Sequence, residues 1–473
     1  VQDQYGSDSK TIKGMIHIGQ NECNIDSTIG HCLDLSKNDD KATIGTLSAL
    51  NNASGFSCMA WIKLNSKQDC FTQILANWDS DAGMGFGFAF QGYVTTTNLT
   101  FSWKGVPYQL TSPFNLEINK WIHVAMVVFP DSIRLYHNGE SWTYKGNFKS
   151  YHLGNTPWEI GTGVRGQCGN FNGQIDELKI YNRSLSAEEI RKNMHLIHPE
   201  GENGLIAYFQ FNESTPNEFY NRTGTSHALN GGGLRMISTA PAATGQSQLN
   251  NVKLGDVYWD TCGLEMYFGQ INKNNYPWII YRLDAPADSL PSTTGSWYKS
   301  YYIARTFGSS TGETSTTLSV HMDGIDLKKY EKFPQYIKLF RRDLANEHLN
   351  TWKLVGNASA ADASSGRVRF NSPGTLNGQY LIEVIESPLT GIGQPEDEHS
   401  NFQIYPNPSG SNITVYLRNN LQGNVLYIRN LQGQAIRNYP YEGSNEKYIV
   451  IQDLPKGMYY VEFGGAVQKL VIQ

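Results

Sequence analysis

Apolar and polar positions alternate, or run in short apolar blocks, from Thr11 to Ile197. The blocks recur about every 8 to 12 residues, a spacing that predicts an antiparallel sandwich or barrel. Phe56-Ser57-Cys58-Met59-Ala60-Trp61-Ile62 and Trp121-Ile122-His123-Val124-Ala125-Met126-Val127-Val128-Phe129 are the clearest predicted strands. The second is almost continuously apolar, which predicts a central strand covered on both faces. Pro130-Asp131 turns the chain, Ser132 to Tyr136 returns, and His137-Asn138-Gly139-Glu140 carries the Asn-Gly signal of a tight hairpin at a solvent edge. Asn172 to Tyr181 alternates as a strand. Ser186-Ala187-Glu188-Glu189 then reads as a capping box opening the one clear helix, with Ile190 and Met194 on one face.

Past this region Gly204-Leu205-Ile206-Ala207-Tyr208-Phe209-Gln210-Phe211 and Leu229-Asn230-Gly231 predict either an outer strand pair on the first domain or the remnant of a lost second copy, and the Ala/Thr/Ser/Gln-rich stretch Thr239 to Asn250 predicts a linker. A second β-sandwich is expected over 251–388, from Trp278 to Arg282, Trp297 to Ile303, Gln335 to Phe340 and Gln379 to Val384. A charged linker at 389–401, with Pro395-Glu396-Asp397-Glu398, leads into a last domain at 402–473. The expected organisation is therefore a first domain at 1–200, a strand pair and linker at 201–250, a middle sandwich, a linker and a terminal sandwich.

Composition agrees with short strands and Gly/Asn/Ser turns: 46 Gly, 27 Tyr, 20 Phe and 10 Trp against 17% charged residues in 473. A net charge of -5 with no basic cluster excludes the electrostatic footprint of a nucleic-acid binder. No run approaches the roughly 18 to 20 apolar residues of a membrane-spanning helix. Val1 is neither Met nor followed by an apolar signal core, so the numbering is expected to begin at a mature N-terminus. Five of six cysteines precede residue 200. The spacings Cys23/Cys32 and Cys58/Cys70 suit hairpin disulfides equally well as buried thiols, and connectivity stays open.

The first region resembles the laminin G-like, concanavalin A-like jelly rolls of bacterial surface proteins. The matching blocks keep family order: Cys32 to Leu35, Asp39 to Ile44, Ala60 to Lys63, Trp121 to Ala125, Leu135 to Gly139, and Gly173 to Asn182 with its helix. The resemblance implies a concanavalin A-like jelly roll at the N-terminus; with the strand pattern that follows, the chain is expected to be all-β, with a middle β-sandwich and a small C-terminal immunoglobulin-like sandwich. It also implies a calcium ion held by hard oxygen ligands, with Asp176 at a matching position and Asp40, beside Asp39, in the loop that could approach it. Against this, Val164 to Gly169 stands where a pentraxin-like acidic cluster would be. Aromatic faces stack on sugar rings, which makes Trp78, Trp103, Trp142 and Trp158 ligand-binding candidates, weighed against core packing. The Trp78 loop, with Asp79 and Asp81, is favoured.

The last segment contains Tyr405-Pro406-Asn407-Pro408, a turn at Asn430-Leu431-Gln432-Gly433, the block Leu454-Pro455-Lys456-Gly457-Met458-Tyr459, and Lys469 before Val471. These residues, in this order, resemble the type A C-terminal sorting domain of type IX secretion cargo in Bacteroidetes. That resemblance implies recognition by the outer-membrane shuttle barrel and translocon, and often removal by a sortase with anchoring to lipopolysaccharide. The cut would fall in Pro388 to Asn401.

Glycoside hydrolysis needs two carboxyl groups flanking one bond. No Glu-x-Asp-x-x-Glu strand is present, and Asp176 and Glu177, being adjacent, are expected on opposite faces. His195 and His198 are expected on a surface helix face. No phosphate loop, Ser/His/Asp arrangement or Cys-x-x-Cys motif appears. The expected function is non-enzymatic binding of a glycan or protein ligand outside the cell, with a structural adhesin or motility-associated envelope component as the alternative.

Overall fold

The structure, a computed structural model, describes residues 30–385 and 402–472. Short stretches inside those ranges lie outside the description, among them 80–83, 104–111, 149–155, 163–169, 198–201, 406–411, 418–424 and 442–446. Strands dominate it. The first sandwich contains β1 (His31–Asp34), β2 (Ala42–Gly45), β3 (Phe56–Leu64), β4 (Gln73–Asp79), β5 (Met84–Phe90), β6 (Leu99–Trp103), β7 (Trp121–Phe129), β8 (Ser132–His137), β9 (Glu140–Lys145), β10 (Trp158–Ile160) and β11 (Gly173–Tyr181). Helix α1 (Ala187–Asn193) follows, then β12 (Leu205–Phe209), β13 (Glu218–Tyr220), β14 (His227–Asn230) and β15 (Leu234–Ile237).

One sheet has the order β15-β1-β11-β3-β7-β8-β9, with β12 also on β11; the other runs β13-β14-β2-β10-β4-β5-β6. The apolar faces of the two meet in one core, where Phe56 lies edge-on to Phe86 at 4.9 Å and Trp158 tilts against Phe86 at 5.3 Å. As its run of apolar residues predicts, β7 is central and buried from Trp121 to Val128. The Asn138-Gly139 turn joins β8 to β9, both residues at positive φ. At the start of α1 the Glu189 N–H donates to Ser186 Oγ at 3.2 Å, and Glu189 Oε2 accepts from the Ser186 N–H at 2.8 Å.

Strand β11 does not alternate throughout. A bulge falls between Asp176 and Lys179, with Glu177 at φ +53°, and Asp176 and Glu177 are both buried. On the edge away from β3, β11 pairs with β1 before the bulge and with β12 after it. Residues 205–237 thus complete the first sandwich: β12 extends β11, β14 adds to β2 and β15 to β1. Phe209, Phe211, Phe219 and Ala228 enter its core.

The middle sandwich consists of β16 (Gly245–Asn251), β17 (Gly255–Trp259), β18 (Leu264–Phe268), β19 (Pro277–Leu283), β20 (Ser296–Trp297), β21 (Tyr301–Thr306), β22 (Thr314–His321), β23 (Ile337–Arg342), β24 (Lys353–Asp362), β25 (Arg367–Thr375) and β26 (Gly378–Val384). Residues 245–250, expected within a linker, belong to strand β16, which pairs along its whole length with β19, because their polar side chains sit on an edge that tolerates solvent. The sheet follows the path β16-β19-β21-β26-β23-β24-β25-β22-β18-β17 and folds over on itself into two layers.

The terminal domain pairs a sheet of β27 (Phe402–Tyr405), β28 (Asn412–Leu417) and β31 (Lys447–Gln452) with one of β30 (Ala435–Pro440), β29 (Val425–Arg429), β32 (Gly457–Phe463) and β33 (Ala466–Ile472). Ile413, Val415, Leu426, Ile428, Val461 and Phe463 form its core. Burying side chains of this size contributes about 1.5–3 kcal/mol each.

Cys58 and Cys262 are buried free thiols, so the Cys58/Cys70 pairing is not made. Burial pushes the Cys58 thiol far up and that of Cys262 to about 11. Cys32 is also buried, and its Sγ donates to the Met236 carbonyl. Cys23, Cys70 and Cys168 lie outside the described residues.

Candidate functional site

Directly opposed residues in an antiparallel ladder share a face. In the second sheet the register sets Leu75 against Phe88 and Phe101, and Phe86 against Trp103, all facing the core. The outward row runs Leu229, Thr43, Glu159, Ala76, Gly87 and Ser102. A neighbouring outward row is Gln73, Ala89 and Thr100. Small side chains on β4, β5 and β6 therefore make a covered floor: Ala76, Ala89, Thr100 and Ser102 are 2%, 0%, 2% and 4% exposed.

Gln73 lies over that floor. A Cβ placed on Gly87 would come within 2.0 Å of Gln73 Oε1, so only glycine leaves room for the amide. Gln73 is 1% exposed, and its Oε1 has no hydrogen-bond partner among the described residues. An unsatisfied buried acceptor costs about 1–3 kcal/mol, a cost removed when a ligand supplies the donor. Beside it, Glu159 Oε1 accepts from Lys41 Nζ at 2.5 Å, which makes the only charged feature of the outward row a neutralised one. Across the ladder Glu159 faces Thr43 and Ala76, neither an acid. Sequence reasoning passed over Gln73 and Gly87, although Gly85-Phe86-Gly87-Phe88-Ala89-Phe90 marks one apolar face and one face stripped of side chains.

Among the expected ligand-binding residues, Trp78 and Asp79 end β4, in backbone register with Gly85 and Met84 of β5. Asp81 lies outside the described residues. Trp103 is a core residue: 7% exposed, it stands edge-on to Phe148 at 5.2 Å. Trp158 is likewise in the core at 1% exposed, and Trp142 packs against the core from its margin.

Asp40 and Asp176 have separate partners. Asp40 Oδ2 accepts from the Lys37 N–H at 3.0 Å and its carbonyl from Asn170 Nδ2 at 3.2 Å, before β11 begins. Asp176, beyond the first half of that strand, accepts from the Ser238 hydroxyl at 2.5 Å and the Glu177 N–H at 2.8 Å. The Ser238 and Glu177 donors to Asp176 lie in a buried pocket. Among the described residues no three His, Cys, Asp or Glu side chains are grouped to hold a metal.

His195 is not on a surface helix face. It follows the end of α1, is 0% exposed, and its Nδ1 lies 2.6 Å from the Pro241 carbonyl. His198 lies outside the described residues.

In the terminal domain Tyr405 ends β27, while Pro406, Asn407 and Pro408 lie outside the described residues. Gly433 has φ +80° in a turn closed by its N–H on the Asn430 carbonyl at 2.9 Å. Gly457 opens β32, and Tyr459, 8% exposed, donates its hydroxyl to the Pro455 carbonyl at 2.7 Å. On the last strand Lys469 pairs with Tyr460 and Val471 with Met458.

Residues 36–191 match the family model of the concanavalin A-like lectin/glucanases superfamily, and residues 403–473 match that of the secretion system C-terminal sorting domain. No curated protein matches the chain. Among solved structures, a Bacteroides ovatus protein whose name proposes carbohydrate binding is 18% identical at a TM-score of 0.38, covering 46% of this chain. The chain spans 62% of that protein's length. The heptameric SAP-like pentraxin of Limulus polyphemus is 14% identical at a TM-score of 0.32, over 45% of this chain and 97% of the other. Domains LG4-5 of the mouse laminin α1 chain are 8% identical at a TM-score of 0.28, over 80% and 88%. The chain is thus type IX secretion cargo, carried through the outer membrane to the cell surface or beyond, with a concanavalin A-like domain and a C-terminal sorting domain.

Proposed function

We propose that the exported chain is a non-enzymatic binding protein whose first sandwich takes a glycan on the outward face of β10, β4, β5 and β6. The observation that carries this reading is the buried, unpartnered Gln73 Oε1 across the floor of Gly87, Ala89, Ser102 and Thr100. A sugar hydroxyl supplies the missing donor, and the neutralised Glu159–Lys41 pair suits an uncharged ligand. A hydrolase would need a second carboxyl group close to Glu159; its neighbours across the sheet are Thr43 and Ala76. Export partners proposed for the sorting domain are the outer-membrane shuttle barrel and translocon, with sortase cleavage in Pro388 to Asn401 and lipopolysaccharide anchoring as the later steps.

The test is a glycan array with the full chain, followed by titration calorimetry on any hit. Gly87→Val, which drives a side chain into Gln73, and Gln73→Leu, which removes the acceptor, are expected to weaken binding at least tenfold. An empty array, or affinity unchanged in both variants, would discard the reading. A second reading, a structural adhesin, is favoured by the edge strand β15, where Leu234, Met236 and Ile237 are 43%, 44% and 63% exposed. Exposed apolar edges pair with other proteins. Co-purifying envelope proteins lost on replacing Met236 and Ile237 by Lys would support it.

A further inference from the structure

The two layers of the middle sandwich have different outward faces. On β19 and β21, Ile279, Tyr281, Leu283 and Ile303 pack against Met194, Leu196 and Ala243 next to the first sandwich. The opposite layer, β24-β25-β22-β18-β17, turns a face to solvent. Its inward residues Val257, Met266, Leu318 and Phe370 are each 1% exposed. The outward residues between them form two rows across the strands. In one, Tyr258 is opposed to Glu265, then Ser319 and Arg369; in the other, Asp256 is opposed to Tyr267, then Thr317 and Asn371.

Tyr258 and Tyr267 are 44% and 43% exposed and stand diagonally on adjacent strands. At that relation side chains are about 7–8 Å apart or closer, within reach of one chain molecule lying across both. Glu265 first, then Asp256, holds the Tyr258 phenol above its ordinary value, so it remains a neutral donor and an intact π face. Glu265 Oε2 is 3.5 Å from Arg367 Nη1, so the face answers its own charges. Acids flank the rings and arginines lie two strands away, which disfavours a polyanion beside the tyrosines and a polycation beside the arginines. A protein partner needs about 800 Å² per side around an apolar centre. Two neighbouring rings amid hydroxyls, an amide and a paired charge make a narrow strip and not such a centre. Apolar ring faces with interspersed donors and acceptors match a sugar, whose C–H face stacks while its hydroxyls hydrogen-bond.

We propose that this face is a second ligand surface of the chain, taking an uncharged polysaccharide laid across β17 and β18, with Tyr258 and Tyr267 stacked on sugar rings and Thr317 and Asn371 meeting hydroxyls. It acts independently of the first sandwich and gives the exported chain two grips on one polymer, which raises avidity without any change at either site.

The experiment is native gel electrophoresis of the full chain through gels containing xyloglucan, galactomannan, mixed-linkage β-glucan or dextran. The tyrosine variants carry Gly87→Val, which weakens the first-sandwich site, and the wild-type chain is run beside them. The Gly87→Val chain is expected to be retarded by at least one polymer, and adding Tyr258→Ala with Tyr267→Ala is expected to weaken binding at least tenfold. Tyr258→Phe with Tyr267→Phe, which keeps the rings, should stay within about threefold, and these exposed positions leave the melting temperature unchanged. No retardation of the Gly87→Val chain by any of the four polymers, or retardation indifferent to both alanines, overturns the proposal. Retardation of the wild-type chain that Gly87→Val alone abolishes would leave the first-sandwich reading standing and remove this one.

Discussion

The His195 imidazole stands against the Tyr281 ring with centroids 4.5 Å apart and planes at 65°, joining the end of the first sandwich to β19 of the middle one. Around that pair the Tyr281 hydroxyl donates to the Arg191 carbonyl, Arg191 Nε donates to the Gly139 carbonyl at 2.9 Å, and its guanidinium lies 4.2 Å over Phe307. A hairpin turn, a helix and two strands of the middle sandwich thus meet at one joint. Tyr281→Ala empties a fully buried site and is expected to lower the unfolding free energy by about 3–5 kcal/mol. Tyr281→Phe removes only the hydroxyl, at about 1 kcal/mol. Urea unfolding followed by Trp fluorescence checks both, and equal effects would show that the ring does not carry the joint.

Acid should weaken the same region. His123 and His195 flank the Trp61 ring at 5.4 and 5.1 Å, and both are buried. Burial holds His195 down at about 3. Burial, then the nearby His195, Lys179 and Arg305, holds His123 well below its ordinary value. Lys179 Nζ donates to the Leu196 carbonyl, and Asp176 and Glu177 lie one strand away on β11. Both folded values are depressed, so the unfolded chain takes up protons first. Stability from the neutral rings is present above about pH 6.5 and drains as pH falls toward 3. Each ring contributes a slope of about 1.4 kcal/mol per pH unit within that window. Melting temperatures at pH 7, 6, 5 and 4 should fall more steeply for the wild type than for His195→Gln; parallel curves would assign the acid sensitivity elsewhere.

What the sequence made legible was local. Strands β3 and β7, the Asn138-Gly139 turn and the Ser186 capping box each declare themselves within ten residues, because run length, turn chemistry and caps are short-range properties. The place of residues 205–237 was legible only as one of two alternatives, an outer strand pair on the first domain or the remnant of a second copy, since β12, β14 and β15 find their partners roughly 30 to 200 residues earlier and nothing in their own pattern names them. His195 was misplaced for a related reason: the helical spacing is real, but the chain leaves α1 at Asn193 and turns inward. Residue type alone did not separate ligand-binding from core tryptophans: Trp103 and Trp158, offered as ligand candidates, both pack in the core.

Completion of the first sandwich by residues 205–237 depends on a buried ion pair. Arg222 Nη2 lies 3.1 Å from Glu213 Oε1, with side chains 8% and 0% exposed. Glu213 Oε1 also accepts from the Tyr220 N–H at 3.1 Å, tying the pair to β13. Arg222→Leu strips the charge partner from a buried carboxylate and is expected to cost about 3–5 kcal/mol. Adding Glu213→Gln should recover part of that loss, as a neutral amide tolerates the site. A double variant no more stable than Arg222→Leu would show that packing, not charge, sets the effect.

The sorting domain offers a way to separate folding from export. Gly433 sits at φ +80°, with open space where a Cβ would be, so a substitution there meets backbone strain and no clash. Its carbonyl accepts from Arg429 Nη1 at 3.0 Å, and Arg429 Nε donates to Glu462 at 2.6 Å, linking the turn to β32. A β-branched residue in this left-handed region costs about 1–2 kcal/mol, while asparagine is better tolerated. Gly433→Val is therefore expected to lower the melting transition of the terminal domain and leave that of the two preceding sandwiches unmoved, with Gly433→Asn close to wild type. In cells, export should follow the same order, with Gly433→Val cargo retained in the periplasm and Gly433→Asn cargo found outside. Mass spectrometry of the outside fraction reports in addition whether residues 402–473 have been cut away. Normal export of a Gly433→Val chain whose terminal domain is measurably unfolded would show that the secretion machinery reads a linear segment and not the folded sandwich.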